Sequence, residues 1–254
     1  MTKRVLVLGG TGEARDLAAR LADQPSIEVI SSLAGRTSDP ARPAGRTRVG
    51  GFGGADGLAA WLAAEGIDAV VDATHPFAAA MTAAAVAATQ RLGLPLLVLR
   101  RPGWTARPDD DWRRVPSLAA AAADLPGQRV FLTVGRTEVS AFAADEQRWF
   151  LIRSVETPDP PLPPQLQVVT ARGPFEVADE TALMRRHAVD VLVTRDSGGT
   201  LTSAKLTAAR RLGLPVVMVD RPPAPDAPTV ATAGEAITWL EQCQLNRTSY
   251  NSAS

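Results

Sequence analysis

The chain has 254 residues with 27 basic and 27 acidic side chains, so its formal net charge is zero. It therefore has no overall field to attract nucleic acid or an acidic membrane, and an anionic ligand would need local cations and helix ends. The single cysteine, Cys243, excludes an intrachain disulfide, and with two histidines it predicts no metal site. No signal-peptide pattern and no bilayer-length apolar run occurs, so we expect a cytoplasmic protein without membrane contacts.

Short apolar runs alternate with helical patterns along the whole chain. In the first half, strands are predicted at 4–8, 27–33, 68–72 and 95–100, with helices near 12–23, 55–65 and 77–92. In the second half, strands are predicted at 129–134, 149–153, 166–170, 190–194 and 215–219, with helices near 137–144, 177–187 and 200–212. This alternation predicts an α/β fold whose parallel strands are covered by helices on both faces.

The chain also matches itself. "QRLGLPLLVLRRP" (90–102) resembles "RRLGLPVVMVDRP" (210–222), and upstream 67–88 lies over 189–209 and 4–14 over 129–139. The ordered matches predict two Rossmann-like, doubly wound halves related by internal duplication, with the active-site cleft between them. Chance reuse of α/β patterns is the alternative. We expect domains at 1–126 and 127–244 and a polar tail at 245–254, and the first βα units could exchange between the halves.

The stretch "VLVLGGTGEAR" (5–15) runs from a buried strand through a glycine turn into a helix. Gly10 and Gly12 occupy the first two glycine positions of G-x-G-x-x-G, whereas Arg15 replaces the third. Because the first N–H groups of a helix lack intrahelical partners, such a turn attracts phosphate. We interpret it as a pyrophosphate site, with a plain tight turn as the alternative.

The end of the second strand indicates which dinucleotide would bind. NAD-binding units usually place an acidic residue there, but this chain has Gly35, Arg36 and Thr37, with Arg42 and Arg46 beyond. A guanidinium beside a hydroxyl suits a 2′-phosphate, so NADP is favoured over NAD. A solvated loop is the alternative.

"VVDATHPFA" (70–78) places polar residues at the carboxyl end of a strand, where ligands bind in open α/β sheets. Thr74 or His75 could cap the following helix or point at the nicotinamide, and Pro76 fits the first helical turn. His75 is our hypothesis for a catalytic residue, with a satisfied loop histidine as the alternative.

The second half keeps this architecture with different residues. "TVGRTE" (133–138) has Gly135-Arg136 in place of the double glycine, so a bulky cation stands where pyrophosphate would approach. "VTRDSGGTLTSAKL" (193–206) combines a hydroxyl, two glycines, a helix start and two cations, which together can hold carboxylates. These residues are Arg195, Ser197, Gly198, Gly199 and Lys205. A structural turn with solvated charges is the alternative.

The segments "GGTGEAR", "DATHPFA", "GRTE" and "SGGTLTSAKLTAARRLGLPVVMVDRP", in this order, resemble the precorrin-6A reductase family of cobalamin biosynthesis, from about residue 4 to about residue 240. The resemblance implies reduction of one macrocycle double bond of precorrin-6A to give precorrin-6B. Relatives in the aerobic branch use NADPH and a metal-free substrate, and anaerobic relatives act on cobalt-precorrin-6A. The resemblance implies cofactor contacts at Gly10, Thr11, Gly12, Glu13, Arg15, Arg36, Thr37, Ala73, Thr74 and His75. It implies substrate contacts at Arg136, Thr137, Arg195, Ser197, Gly198, Gly199 and Lys205.

The residues by themselves agree with this family, since a polycarboxylate tetrapyrrole suits a cation-bearing half. Arg36–Thr37 favours the NADPH-using, cobalt-free branch, and the resemblance leaves room for transient contact with neighbouring pathway enzymes. Two alternatives stay open: an NADP-dependent reductase of another anionic small molecule, and a non-catalytic tetrapyrrole or small-anion binding protein. A fluorescence titration with NADPH separates the binding protein from both reductases.

Overall fold

The computed structural model describes residues 2–35 and 43–251, with the side chains of the last helix described as far as Cys243. The first elements are β1 (Lys3–Leu8), α1 (Gly12–Ala22), β2 (Ile27–Leu33), β3 (Arg46–Val49), α2 (Gly54–Ala64), β4 (Ala69–Asp72), α3 (Ala79–Leu92) and β5 (Leu96–Leu99). There follow β6 (Trp112–Val115), α4 (Leu118–Ala123), β7 (Arg129–Thr133), a 3₁₀ helix (Arg136–Phe142), β8 (Trp149–Ser154) and β9 (Leu166–Thr170). The last are α5 (Val177–Arg186), β10 (Val191–Arg195), α6 (Ala204–Leu212), β11 (Val216–Val219), β12 (Thr229–Val230) and α7 (Ala233–Asn251).

The strands form two parallel sheets of six. The first has the order β12-β5-β4-β1-β2-β3 and the second β6-β11-β10-β7-β8-β9. The inner strands are apolar on both faces, and Val5 to Leu8 of β1 are at most 2% exposed. Such continuous burial is the pattern of parallel strands covered on both faces. The predicted α/β fold with two Rossmann-like halves is confirmed.

Helices cover both faces of the first sheet. One face packs against α1 and α7 through Leu17, Leu21, Ala236 and Leu240. The opposite face packs against α2 and α3 through Leu58, Leu62, Ala85 and Ala88. In the second sheet, α5 and α6 pack on one face through Met184, Leu206, Ala208 and Ala209. Each sheet therefore has the doubly wound arrangement, which places ligand sites at the carboxyl ends of its strands.

The contacts within the chain divide it into two compact units, Met1–Arg101 with Pro222–Ser254, and Pro102–Arg221. The predicted boundary after residue 126 differs from this division because β6 pairs with β11 of the second sheet. The return of the chain to the first unit is explained by β12, which pairs with β5. The first sheet is completed by β12, which follows β11 of the second sheet in the chain. The second sheet is completed by β6, which follows β5 of the first sheet.

The first βα units stay in their own sheets. Val5 to Leu8 of β1 pair with β2 on one side and with β4 on the other, and β7 pairs with β8 and β10 in the same way. The exchange that the duplication suggested for the first βα units therefore occurs instead at the edge strands β6 and β12.

Several elements differ from the sequence prediction in kind or extent. The helix predicted at 200–212 begins at Ala204, and the one predicted at 137–144 is a 3₁₀ helix. The predicted tail at 245–254 continues α7 as far as Asn251, because no glycine or proline follows Gly234 to end the helix. Within residues 2–35 and 43–251, no helix has both the length and the apolar character needed to cross a membrane.

Candidate functional site

The first βα turn joins β1 to α1 and is held by Thr11. The Thr11 hydroxyl accepts a hydrogen bond from Ala14 N at 3.1 Å, which makes Thr11 the N-cap of α1. The same hydroxyl donates to Ala73 O at 2.8 Å and so ties the turn to the end of β4. The N–H groups of Gly12 and Glu13 lie in the same first turn of α1, where the helix itself supplies no acceptor.

Gly10 lies at the outer side of this turn. Its φ of +112° is a conformation that residues with a Cβ rarely adopt, and a Cβ built there would meet no described heavy atom within 4 Å. The backbone therefore faces space into which a ligand can come close. The turn could hold an anionic group, since it combines accessible backbone with the positive end of the α1 dipole.

Two charged residues of the predicted motif lie in the first turns of α1. Glu13 forms an ion pair with Arg101, with the Arg101 Nη1 to Glu13 Oε2 distance at 2.7 Å and side-chain exposures of 16% and 28%. Arg15, which replaces the third glycine of the fingerprint, is exposed on α1. The sequence did not indicate Arg101, which is 88 residues from its partner and follows β5.

The end of β4 carries a buried carboxylate. Asp72 is 1% exposed, and its Oδ1 accepts hydrogen bonds from Thr74 N at 3.0 Å and Thr74 Oγ1 at 2.7 Å. Its Oδ2 accepts from Thr82 Oγ1 of α3 at 2.6 Å. These bonds satisfy the buried charge and fix the strand-to-helix turn that follows. Thr74 thus holds the turn through Asp72 and does not cap α3.

His75 follows in this turn. Its Nδ1 accepts a hydrogen bond from Phe77 N at 3.3 Å, so the ring carries its proton on Nε2 while this bond is made. The ring also lies 5.8 Å, centroid to centroid, from that of Phe77. Pro76 precedes α3, which begins at Ala79, so the proline belongs to the turn and not to the first helical turn that the sequence predicted.

A cavity of about 370 Å³ opens beside His75 within the first unit. One wall is the face of α3 and another is the carboxyl end of β5, and the proline-rich segment after β11 closes it. Its polar residues are Asp72, Thr74, His75, Thr82, Gln90, Arg100 and Asp226. The sequence indicated the strand end but not this cavity, because its walls come from three separate segments.

The predicted 2′-phosphate residues Arg36 and Thr37 lie outside the described residues, as does Arg42. Arg46 begins β3, at the sheet edge opposite the carboxyl ends, where it binds Glu65 with an Nη1 to Oε2 distance of 2.7 Å. Arg48 lies beside the end of β2 and donates to Ser32 Oγ, Gly50 O and Gly51 O at 2.7–3.1 Å. Burial lowers the pKa of Arg48.

The equivalent turn of the second unit joins β7 to the 3₁₀ helix. Here Glu138 folds back and accepts a hydrogen bond from Gly135 N at 2.7 Å. Arg195, the last residue of β10, binds the same carboxylate, with its Nη1 2.8 Å from Oε1 and 2.7 Å from Oε2. A Cβ on Gly135 would meet both side chains. This turn is filled by an internal ion pair, and burial lowers the pKa of Arg195.

Arg136 and Thr137 begin the 3₁₀ helix. Arg136 is 35% exposed and binds Glu156 at 2.6 Å, with Asp159 3.9 Å away. Thr137 is exposed. Of the predicted cations in this unit, Arg136 presents the most side-chain surface, and its acidic partners would have to exchange for a substrate carboxylate.

The loop after β10 is fixed by a carboxylate that the sequence analysis missed. Asp196 is 5% exposed and accepts hydrogen bonds from Trp104 N at 2.9 Å and Arg114 Nη2 at 3.0 Å. Gly198 is buried with φ at +66°, and a Cβ there would collide with Pro102 O. Gly199 O accepts from Trp104 Nε1 at 2.7 Å. Gly198 therefore has a packing reason, and Gly199 has a positive φ of +74° that favours glycine. Ser197, which lies between Asp196 and Gly198 in the chain, is half-buried.

Lys205 lies in the first turn of α6 and is only 4% exposed. Its Nζ is 5.2 Å from the centroid of the Trp104 ring. Burial, together with the nearby charges of Arg153 and Arg195, lowers the pKa of Lys205 to about 7, against the opposing effect of Glu180. Glu180 forms a close ion pair with Arg153. Lys205 belongs to a buried charged cluster beneath the loop and not to the surface of the unit.

The structure therefore groups the predicted residues in two sets. In the first unit, Thr11 joins Ala73 directly, and Thr74 and His75 follow in the same turn. In the second unit, Arg195 connects the loop after β10 to the 3₁₀ helix that contains Arg136 and Thr137. Among the described residues, no group of three or more potential metal ligands occurs.

Comparison with known proteins supports one assignment throughout. A family described as Precorrin-6x reductase CbiJ/CobK matches residues 4–241. Precorrin-6A reductase of Rhodococcus erythropolis is 58% identical over 240 residues, 93% of this chain and 97% of that protein. Precorrin-6A reductase of Mycobacterium tuberculosis H37Rv is 49% identical, with the same coverage. A solved structure of CobK precorrin-6A reductase superimposes with a TM-score of 0.89, at 46% identity, over 95% of this chain and 97% of that one. The resemblance in the motifs is confirmed, and the chain belongs to the precorrin-6A reductase family of cobalamin biosynthesis, whose members are reductases.

Proposed function

We propose that this chain reduces one double bond of metal-free precorrin-6A with NADPH, giving precorrin-6B. The observation that carries the proposal is similarity over nearly the whole chain to relatives named precorrin-6A reductase. Three of these relatives are 48%, 48% and 58% identical, whereas three named cobalt-precorrin-6A reductase are 24%, 26% and 30% identical. The difference favours the cobalt-free substrate. The proposed setting of the reaction is the cytoplasm.

The first unit is the proposed cofactor-binding domain. The pyrophosphate lies against the turn of Gly10, Thr11 and Gly12, whose open backbone and helix dipole favour an anion. The adenosine 2′-phosphate lies at the end of β2, where the sequence has Arg36 and Thr37. Arg48 is a poor substitute for them, since three of its hydrogen bonds go to oxygens of the protein itself.

The nicotinamide lies toward the end of β4, near Ala73, Thr74 and His75. The reduced nicotinamide supplies a hydride, and the chain's task is to hold it close to the accepting carbon. Ala73 carries only a methyl group, which does not obstruct that approach, and the Asp72–Thr74 bonds hold the turn. With Nδ1 bonded to Phe77 N, His75 can donate a hydrogen bond only from Nε2. It is therefore placed to bind an oxygen of cofactor or substrate, or to pass on a proton.

The second unit is the proposed substrate-binding domain. Arg136, Thr137 and Ser197 have exposed or half-buried side chains and are the proposed direct contacts to the substrate carboxylates. Arg195 and Lys205 lie deeper and act through the positive potential that they add beneath these residues. Gly198 and Gly199 allow the loop to approach Pro102 and Trp104 closely.

The reaction is tested by following the absorbance of reduced nicotinamide under anaerobic conditions, with NADPH or NADH and with or without precorrin-6A. Oxidation that needs both NADPH and precorrin-6A, and is slower with NADH, supports the proposal. NADPH binding without turnover would instead favour another anionic acceptor.

The catalytic role of His75 is tested with His75→Asn. The asparagine Oδ1 can still accept the bond from Phe77 N, so the turn is kept while the ring nitrogen Nε2 is lost. We expect kcat to fall about tenfold to a hundredfold and its pH profile to change. His187→Asn is the control, since His187 lies in the second unit and stacks on Trp149 at 5.7 Å. Normal kcat with an unchanged pH profile in His75→Asn would remove the role.

A further inference from the structure

Glu13 lies in the turn that is proposed to hold the cofactor pyrophosphate, where a negative charge is unexpected. The carboxylate belongs to the first turn of α1, and the helix dipole attracts it toward the N–H groups that a phosphate would use. A free Glu13 would therefore both repel the pyrophosphate and compete with it.

The second unit shows that such competition can be realised in this fold. The sequence match of 4–14 with 129–139 places Glu138 opposite Glu13 and Gly135 opposite Gly10. Glu138 folds back onto Gly135 N at 2.7 Å and occupies the turn. Among the described residues, no hydrogen bond joins Glu13 to Gly10 N, and a Cβ on Gly10 would meet no described heavy atom within 4 Å.

Two interactions keep the first turn from closing in this way. Thr11 caps Ala14 N with its own hydroxyl, so α1 does not need a glutamate as its cap. Arg101 binds the Glu13 carboxylate at 2.7 Å in a setting where the two side chains are 16% and 28% exposed. In the second unit, Arg195 binds the equivalent glutamate, Glu138, while the same carboxylate accepts a hydrogen bond from Gly135 N.

We propose that Arg101 is a positioning residue for cofactor binding: by holding the Glu13 carboxylate, it keeps the α1 turn open to the pyrophosphate and offsets the charge of Glu13. This inference rests on the proposed function, because it needs a dinucleotide at that turn. Arg101 acts through Glu13, so its effect appears in cofactor affinity and depends on the presence of the Glu13 charge.

The test is the affinity of the full-length protein for NADPH, measured by fluorescence titration, in a cycle of Arg101→Met, Glu13→Gln and the double variant. Arg101→Met should raise Kd for NADPH about fivefold to tenfold, because a carboxylate is released beside the pyrophosphate. Adding Glu13→Gln should restore most of the affinity, since the competing charge is gone. Saturating NADPH should restore kcat in Arg101→Met.

Arg91→Met is the matched control, because it breaks an ion pair of the same unit, Arg91–Asp56 at 2.9 Å, away from the turn. It should leave Kd unchanged. If Arg101→Met does not fold, Glu13→Gln in the wild-type background still decides, and it should bind NADPH at least as tightly as wild type. Weaker binding by Glu13→Gln, or no rescue in the double variant, would overturn the inference. Wild-type protein that binds no NADPH would overturn the proposed function as well.

Discussion

The turn after β1 and the turn after β7 occupy matched positions in the duplicated sequence, but different side chains interact with their backbone N–H groups. In the first, Thr11 caps α1, Arg101 holds Glu13, and Gly10 faces space free of described atoms. In the second, Glu138 accepts from Gly135 N and is held there by Arg195. The position opposite Arg195 is Ala73, whose methyl group is too short to reach across the first turn.

The comparison shows that the glycine turn alone does not make a phosphate site. Both turns keep a glycine at the matched position and lead into a helix, but Gly10 has φ +112° whereas Gly135 has φ −68°. The side chain that accepts from the N–H groups at the start of the helix differs as well: it is Thr11 in the first turn and Glu138 in the second. A glutamate that does so uses the same donors that an anionic ligand would need. The duplicated architecture can therefore hold a nucleotide in one half and have this position closed in the other.

The largest expected effect comes from filling the first turn. Gly10→Val places a side chain in the open space and strains a backbone at φ +112°, so we expect Kd for NADPH to rise about a hundredfold or more. Gly213→Ala is the control, being another positive-φ glycine, φ +66°, whose Cβ would meet no described atom within 4 Å. Equal affinity in Gly10→Val and wild type would place the pyrophosphate elsewhere.

A smaller effect, on the free energy of unfolding, is expected from removing the Thr11 cap of α1. Thr11→Val removes the cap on Ala14 N and the bond to the buried Ala73 O, so the free energy of unfolding should fall by about 2 kcal/mol. Denaturant titration measures this change. Thr89→Val tests the same substitution at a buried threonine that bonds only within its helix, and it should lose less. A loss in Thr11→Val no larger than in Thr89→Val would contradict the dual role of the hydroxyl.

The smallest expected effect, on the free energy of unfolding, comes from replacing Lys205 in the helix that follows β10. Lys205 of α6 lies opposite Ala85 of α3 in the duplication, and both are buried. The pKa of Lys205 is lowered to about 7 in the folded protein by burial first, and then by Arg153 and Arg195. An unfolded lysine titrates near pH ~10.4, so between these values the unfolded chain binds more protons and stability rises with pH.

Lys205→Met should therefore stabilise the protein most where the wild-type lysine must be charged. We expect a gain of about 1 kcal/mol at a pH near ~6, shrinking as the pH approaches ~10. Denaturant titration at several pH values measures the difference. Arg211→Met is the control, because Arg211 is an exposed cation of α6 whose charge does not change in this range. A gain in the free energy of unfolding that did not depend on pH would show that packing, and not loss of the buried charge, stabilises Lys205→Met.

The sheets were predictable where their strands are apolar on both faces. "VLVL" in β1 and "AVVD" in β4 are buried runs bounded by glycines or polar residues, so each has a local signature. The edge strands β6, "WRRV", and β3, "RTRV", lack it, and both carry charges that suit a sheet edge. The pairing of β6 also depends on β11, a partner far along the chain that no local pattern encodes.

The site was predictable for residues at strand ends and not for their partners. Gly10, Thr11 and His75 follow buried strands directly, where ligands of α/β sheets bind. Arg101 and Asp196 act through contacts across 88 and 92 residues, so only the folded chain shows them. Gly198 is a different case, since its pattern predicts a ligand site and the structure also gives it a packing reason against Pro102.

The exchanged edge strands have a consequence for synthesis on the ribosome. The first unit is translated up to Arg101, but its sixth strand, β12, emerges only after the second unit has been made. Until then, the backbone groups along the outer side of β5 lack the partners that Thr229 and Val230 supply. A nascent chain stopped at the internal repeat would keep one unfinished sheet edge and carry a strand, β6, that belongs to the other sheet. A cut at the internal repeat therefore leaves each half without an edge strand that the other half carries.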